Sequence, residues 1–487
     1  MQSNRNVGLL AACLVMATCY LLLVFLRDFT GLHAILYVVL FILAGTAYLW
    51  IVWNLPNIRI SIVIIWGIAI LFRILMLTTT PSLSDDVYRF VWEGHLWSNG
   101  ISAYAYPVFS PNLNPYSIPL RNLVNHPWLA SPYLPAAQIL FFLVDKLASG
   151  SVVAFQVGSV LLDLMSGGII IRLLKKVGLP ANKSVVYLWN PLIVIEFAHG
   201  AHIVDALMVF LSLMAFDLIL LIKPNFIRSF AMSASVFLLA LATLTKGLPG
   251  LFVFSFSLKW GWKRLLSYAF IVTGLCFLFA IGPGWGLASP GVGTGLFGSL
   301  RVYLQQWHNN GGIMDWIELV FTGYQPIEAI QSRSLVSSVI RLFSVLMIGL
   351  AAMSSTWLAR STIDESWHVS GENLEGIKFL RIAVLPFWVY ILVAQTVYPW
   401  YLALILGFLP FFYSLNAQDQ IAWRFIPAWL YLSITTNLTY LSHFKSPSPG
   451  EYILVQAIEY IPFYFLLGWA SLPFREKLHL SFARKGK

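Results

Sequence analysis

Apolar runs long enough to cross a bilayer recur from Val7 to Ser471, and nothing else in this chain constrains its fold so strongly. About 20 apolar residues span the hydrocarbon layer as a helix, and inside that layer only helices and closed barrels satisfy their own backbone hydrogen bonds. The runs are Val7–Leu26, Ile35–Trp53, Ile60–Thr78, Val152–Leu174, Ser184–Phe197, Ile203–Ile222, Ser229–Leu244, Leu248–Phe256, Leu265–Ile281, Leu335–Ala352, Ile382–Gln395, Tyr401–Phe412, Ile421–Leu441 and Ile453–Ser471. They predict an all-α polytopic membrane protein with about 14 transmembrane or re-entrant helices. Leu134–Leu147 is amphipathic and short, and is expected to lie at the membrane interface. Composition agrees, since only 10% of the 487 residues are charged, against about 25% in a soluble domain. With no internal repeat and no polar stretch large enough to fold alone, residues 1–487 read as a single membrane domain.

Charge sets the expected orientation. The 30 Lys+Arg outnumber 20 Asp+Glu, but they recur between apolar runs instead of gathering in one basic domain, so no nucleic-acid partner is expected. With the N-terminus inside, the inner loops and termini hold 20 of the 30 basic residues, and the reverse topology would invert that bias. Both termini are then cytoplasmic, and the long polar segments 81–132 and 282–333 lie on the outer face. The acidic loop Asp364–Glu375 falls inside, where acids count for little in this rule. Met1–Asn6 leads into a long apolar run without a small-residue cleavage signal, so the first run reads as a retained span. Cys13, Cys19 and Cys276 lie within apolar runs and read as packing residues, with no disulfide or zinc site expected.

Against this apolar background, Ser84-Asp85-Asp86-Val87-Tyr88-Arg89-Phe90-Val91-Trp92-Glu93-Gly94 is exceptional, because three carboxylates and an arginine crowd the end of the third run. Charges at a membrane surface in such a chain are a functional-site hypothesis. Ser84 suits a helix N-cap, with Asp85 and Asp86 in the first turn of a helix running to about Trp97. Asp85 and Arg89 are four residues apart, as are Arg89 and Glu93, so a salt-bridged helix face accounts for the pattern equally well. The segment continues through Asn99–Pro107, Asn125-His126-Pro127-Trp128 and Tyr133-Leu134-Pro135, dense in aromatics, Asn and Pro. A cleft that packs aromatic faces against sugar rings would have this composition.

These motifs resemble those of the GT-C superfamily of polytopic glycosyltransferases, and most nearly the bacterial polyprenyl-phosphate-mannose-dependent mannosyltransferases. The Asp85-Asp86 pair before Tyr88-Arg89-Phe90 matches a family pattern in the first outer loop. Trp189-Asn190-Pro191, Leu244-Thr245-Lys246-Gly247 and Tyr398-Pro399-Trp400-Tyr401 follow in similar order. One departure is His202-Ile203-Val204-Asp205-Ala206, which carries one more residue than the family's His-X-Asp-Ala. The resemblance implies a membrane enzyme, in a bacterial inner membrane, that moves a sugar, mannose by resemblance, from a polyprenyl-phosphate donor to a glycan, glycolipid or protein acceptor on the outer face. A lipid-linked-sugar flippase or transporter and a surface-glycan polymerase are the alternatives, the former without the internal symmetry many transporters show.

The expected catalytic pair is Asp85 as general base for the acceptor hydroxyl and Asp86 as the group holding the acceptor. Arg89 is expected to orient the pair and keep both carboxylates ionised. Glu93, His126, His202, Tyr398 and Trp400 complete the substrate-binding set with Arg89. Lys246, between two short apolar runs, and Arg301, beside Trp307-His308-Asn309-Asn310, are expected to meet the donor phosphate, although snorkelling alone would also place Lys246 at an interface. The sequence identifies no certain cofactor. A divalent cation, Mg or Mn, shared by Asp85 and Asp86 stays open, and Glu196, His199, His202 and Asp205 recur every three residues as a second set of ligand types, although Gly200 argues against one continuous helix and a polar, hydrogen-bonded turn accounts for them as well. Arg73, inside the third run, needs a partner, for which Asp163 is expected.

Overall fold

The computed structural model of the protein describes residues 2–220, 225–281, 294–322, 335–360, 374–413 and 422–472, and the regular elements of these residues are all helices. The first half comprises α1 (Gln2–Leu26), α2 (Leu32–Asn54), α3 (Ile62–Leu77), α4 (Asp86–Ser98), α5 (Pro135–Leu147) and α6 (Val152–Lys176). It continues with the short α7 (Val185–Leu188) and α8 (Pro191–Val194), then α9 (Ile203–Ile219), α10 (Asn225–Lys246) and α11 (Phe252–Ile281). The second half comprises α12 (Gly298–Gln306), α13 (Ile313–Thr322), α14 (Leu335–Arg360), α15 (Leu374–Ala383), α16 (Leu385–Val393), α17 (Ala403–Phe408), α18 (Ile426–Thr435) and α19 (Pro449–Ser471). Among the described residues, eight helical stretches are long and apolar enough to cross a membrane, and Ile62–Leu77 and Pro399–Phe412 are shorter apolar helices. This is a multi-pass, all-α membrane protein.

Two regions depart from the spans read in the sequence, each for a local reason. Ser184–Phe197 is not one helix: Pro191 has no N–H to donate, Asn190 caps the next turn by accepting from the Leu192 amide (2.9 Å), and the chain ends in a π-helical turn over Ile195–His199. Ser229–Leu244 is too short only on paper, because the helix extends over Phe226–Lys246, 21 residues. The runs on either side of Lys259–Arg264 are separated at Gly261, whose φ of 70° and ψ of 169° are non-helical. The chain turns back there: Trp260 bonds Ser235, whereas beyond the glycine Arg264 bonds Ser229, Tyr268 pairs with Thr243 and Phe279 packs on Trp97.

The helices run between two chemically distinct ends. At one end lie α4, α5, α12 and the turns around residues 28–30, 246, 398–401 and 439–443. At the other, Asp217 pairs with Lys176 (2.5 Å) and Arg172 (2.9 Å). Between them the core is apolar, and the charge inside α3 has the expected partner, with Arg73 Nε 2.5 Å from Asp163 Oδ2. The Trp189-Asn190-Pro191 motif belongs to this packing: Trp189 Nε1 donates to the Ile65 carbonyl (2.9 Å) and Asn190 Nδ2 to Ser433 Oγ (3.2 Å) and Tyr48 Oη (3.3 Å), tying α3, α18 and α2 together.

Candidate active site

A cavity of about 840 Å³ opens at the α4 end and is lined from both halves of the chain. One wall carries Asp85, Asp86, Arg89, Asn125 and His126; the other carries Tyr303, Trp307, Tyr398, Trp400 and Tyr401; Asp205 and Lys246 lie on it as well.

The carboxylate wall is built outward from a buried ion pair. Arg89 Nη1 lies 3.4 Å from Glu93 Oε1, both side chains being almost fully buried one helical turn apart. Glu93 also accepts from Ser131 Oγ and Gln138 Nε2, each at 2.7 Å. Burial pushes the Glu93 carboxyl above its usual range despite Arg89 beside it. The rest of the Arg89 guanidinium grips the 125–130 turn. Nε donates to Asn125 Oδ1 (2.9 Å), Nη2 to the carbonyls of Asn125 and His126, and Nη1 to the Ala130 carbonyl (3.3 Å). That turn is strained, since His126 has a φ of 42°, a conformation that costs a non-glycine residue about 1–3 kcal/mol and persists only where its surroundings impose it.

Asn125 completes the wall. Its Nδ2 donates to Asp85 Oδ1 (2.8 Å) and Asp86 Oδ1 (2.7 Å), so one amide orients both acids. Helix α4 begins one residue later than the sequence predicts. Asp85 takes the cap position, but its side chain makes no cap hydrogen bond, and Ser84 Oγ accepts from the Asp86 amide (3.2 Å). The Asp85 carboxylate is thereby left for the cavity. Surrounding protein, and next the like charge of Asp86, raise the Asp85 pKa above the usual carboxylate range; Arg89 only partly opposes this. Arg89 reaches the acid pair through Asn125, and its charge lowers the Asp85 pKa without offsetting the rise.

Lys246 stands at the end of α10, where Gly247 (φ 80°) lets the chain turn. Its Nζ binds both oxygens of Asp205, at 2.8 and 2.9 Å, and lies 4.3 Å from the centre of the Tyr401 ring. Opposite, Trp400 stacks between Tyr398 (4.7 Å, 5°) and His202 (3.9 Å, 20°). His202 is buried behind Trp400, its Nδ1 3.0 Å from Glu196 Oε2, and does not itself line the cavity. His126 meets Trp307 edge-on (4.5 Å), which closes the two walls against each other. Arg301 is exposed on α12 and, unlike its neighbours Leu300 and Tyr303, is not among the lining residues.

The four residues spaced by three beyond α8 do not converge. Glu196 serves His202 and Tyr440, His199 bonds Thr79 and Ser82, and Asp205 is taken by Lys246. Among the described residues no group of three or more His, Cys, Asp or Glu is placed to hold a metal ion. The π turn and the break at Gly200 separate side chains that one continuous helix would have stacked. The sequence reading missed the roles of Asn125, Asp205 and Tyr401. Asn125 was visible only as part of a motif, and no helical spacing links it to acids about 40 positions away.

Comparison with known proteins gives a family match over the first half of the chain. The sequence profile described as "Alpha-(1->6)-mannopyranosyltransferase, N-terminal domain" matches residues 6–261, just over half of the 487. That region contains the carboxylate wall and Lys246, whereas Tyr303, Trp307 and Tyr398–Tyr401 lie beyond it. No curated protein matches. The crystal structure of ArnT from Cupriavidus metallidurans bound to undecaprenyl phosphate is similar over 83% of this chain and 75% of that one, at 14% sequence identity and a TM-score of 0.36. On the profile match, the chain belongs to the alpha-(1→6)-mannopyranosyltransferase family, and it is a membrane glycosyltransferase.

Proposed function

We propose that the protein transfers mannose from a polyprenyl-phosphate donor to a hydroxyl of a glycan acceptor within this cavity, by a single inverting displacement. The observation that carries the reading is the junction, in one cavity, of an oriented acid pair, a lysine at a helix end and an aromatic wall. In the reaction the bond from the anomeric carbon to the phosphate oxygen breaks as a bond to the acceptor oxygen forms. The acceptor proton passes to Asp85, and the lipid leaves as polyprenyl phosphate. A base with a raised pKa lies nearer the operating pH, which favours proton abstraction in the transition state. Asp86 holds the acceptor. Lys246 spends two N–H groups on Asp205 and keeps a third for a phosphate oxygen, where charge develops on departure. The Tyr398–Trp400 stack offers a flat face for a sugar ring.

Mannose is supported by the family description, and the polyprenyl carrier by the motifs that resemble polyprenyl-phosphate-dependent enzymes. The outer-face orientation in an inner membrane, with both termini inside, is supported by the basic residues at the end opposite the cavity. Purified protein incubated with radiolabelled polyprenyl-phosphate mannose and a mannoside acceptor should form labelled product. Movement of intact donor across a vesicle without transfer would instead mark a carrier. For orientation, a cysteine at the exposed Asn112 should react with an impermeant reagent on intact cells, and one at the exposed Lys175 should not.

A further inference from the structure

Two adjacent carboxylates in a sugar-transfer site can be organised in two ways, by a shared divalent cation or by hydrogen-bond donors. Here the space between them is occupied. Asn125 Nδ2 lies 2.8 Å from Asp85 Oδ1 and 2.7 Å from Asp86 Oδ1. Which end of the amide faces the acids follows from chemistry. A guanidinium only donates hydrogen bonds, so the amide atom 2.9 Å from Arg89 Nε is the oxygen, and the NH₂ group must face the carboxylates. An amide NH₂ has two hydrogens and no lone pair to offer a cation, and both hydrogens are directed at the pair.

We infer that Asn125 is the positioning residue of the acid pair, standing where a bridging cation would stand, and that transfer needs no divalent metal. The inference rests on the reading of Asp85 and Asp86 as the reacting pair. Its physical basis is a chain of fixed groups beneath the amide. Glu93, held by Ser131 and Gln138, fixes Arg89; Arg89 fixes both the Asn125 side chain and the carbonyls of Asn125 and His126. A Mg²⁺ bridging the two Oδ1 atoms, about 2.0–2.1 Å from each, would have to expel the amide that now contacts both, which would remove the acceptor from Arg89 Nε. A neutral amide orients the carboxylates without neutralising them, as a proton acceptor requires.

The test uses the full-length protein and labelled polyprenyl-phosphate mannose, after removal of metals with EDTA. Wild type is expected to keep its rate in EDTA and to gain nothing from added Mg²⁺ or Mn²⁺. Asn125→Ala is expected to lose turnover by about 100-fold, as small misplacements of reacting groups do, with the donor KM retained. Asn125→Asp keeps the size of the side chain and an oxygen for Arg89, but it aims a third carboxylate oxygen at the pair. It should be slow in EDTA and accelerate on addition of Mn²⁺, a response that a purely structural role would not produce. Wild-type transfer that stops in EDTA and returns with Mg²⁺ would overturn this inference while leaving the functional reading intact, and so would an Asn125→Asp variant at the wild-type rate in EDTA. No transfer by wild type with or without metal would overturn both.

Discussion

Asp85 with Asp86, and Asp205, face the same cavity but are held in opposite ways. The first two accept from the neutral amide of Asn125 and stay open to the cavity, while Asp205 is buried and clamped to Lys246 through both oxygens. A cation at 2.8 Å balances a carboxylate's charge, whereas a neutral amide orients a carboxylate and leaves its charge unbalanced. One cavity therefore holds an amide-bonded acid pair on one wall and an acid ion-paired to a lysine in another part of its lining. The division follows how each acid is paired, since the residue type is the same.

The sharpest break in that comparison is Asp85→Asn. The amide keeps the size of the side chain and is acceptable at a helix start, yet it cannot take a proton. Turnover should fall roughly 100- to 10,000-fold while expression and labelled-donor binding persist. Near-normal turnover in Asp85→Asn, with loss in Asp86→Asn, would move the base by one residue.

Lys246→Met tests the other side. It strands a carboxylate whose side chain is only 3% exposed, and breaking such a buried pair costs on the order of 3–5 kcal/mol. Pairing it with Asp205→Asn should recover most of the thermal stability without recovering donor affinity. If the double variant binds the lipid donor like wild type, Lys246 serves the fold and not the phosphate.

A smaller effect is expected in pH dependence. Asp85 must be ionised to accept a proton, so kcat/KM should drop as pH falls through its raised pKa, at higher pH than for an ordinary carboxylate of about 3.9. Asp86 is one cause of that rise. Asp86→Asn removes the like charge, lowers the Asp85 pKa and should move the acid limb to lower pH, whatever it does to the maximum rate. An acid limb that does not move would mean that another group controls it. The smallest effect is expected at Arg301, which is exposed and outside the cavity lining. Arg301→Ala should leave donor KM within about twofold, the range of surface substitutions, and a large rise in KM would bring Arg301 into the phosphate site.

Some of this site was legible in the chain because its logic is local. Arg89 and Glu93 sit one helical turn apart and do pair; Arg73, an unpaired charge in an apolar run, required an acid and found Asp163. The acid pair and Lys246 stood out because charge is scarce. The pairings that divide their roles were not legible. Asn125 is about 40 residues from Asp85, and Lys246 is 41 from Asp205. Helical periodicity relates side chains three or four positions apart and carries no information across separate helices. Nor does it give the partners of Glu196, His199, His202 and Asp205, where a π turn and Gly200 interrupt the helix.

By itself the sequence determined the class and the materials: helices, because a bilayer leaves backbone groups no other partner, and a few charges whose scarcity marks the functional end. The tertiary structure decided which carboxylate is ion-paired and which are held by a neutral amide. Those outcomes depend on which helix ends meet, and distances of under 3 Å between side chains 40 residues apart exist only once the helices have packed.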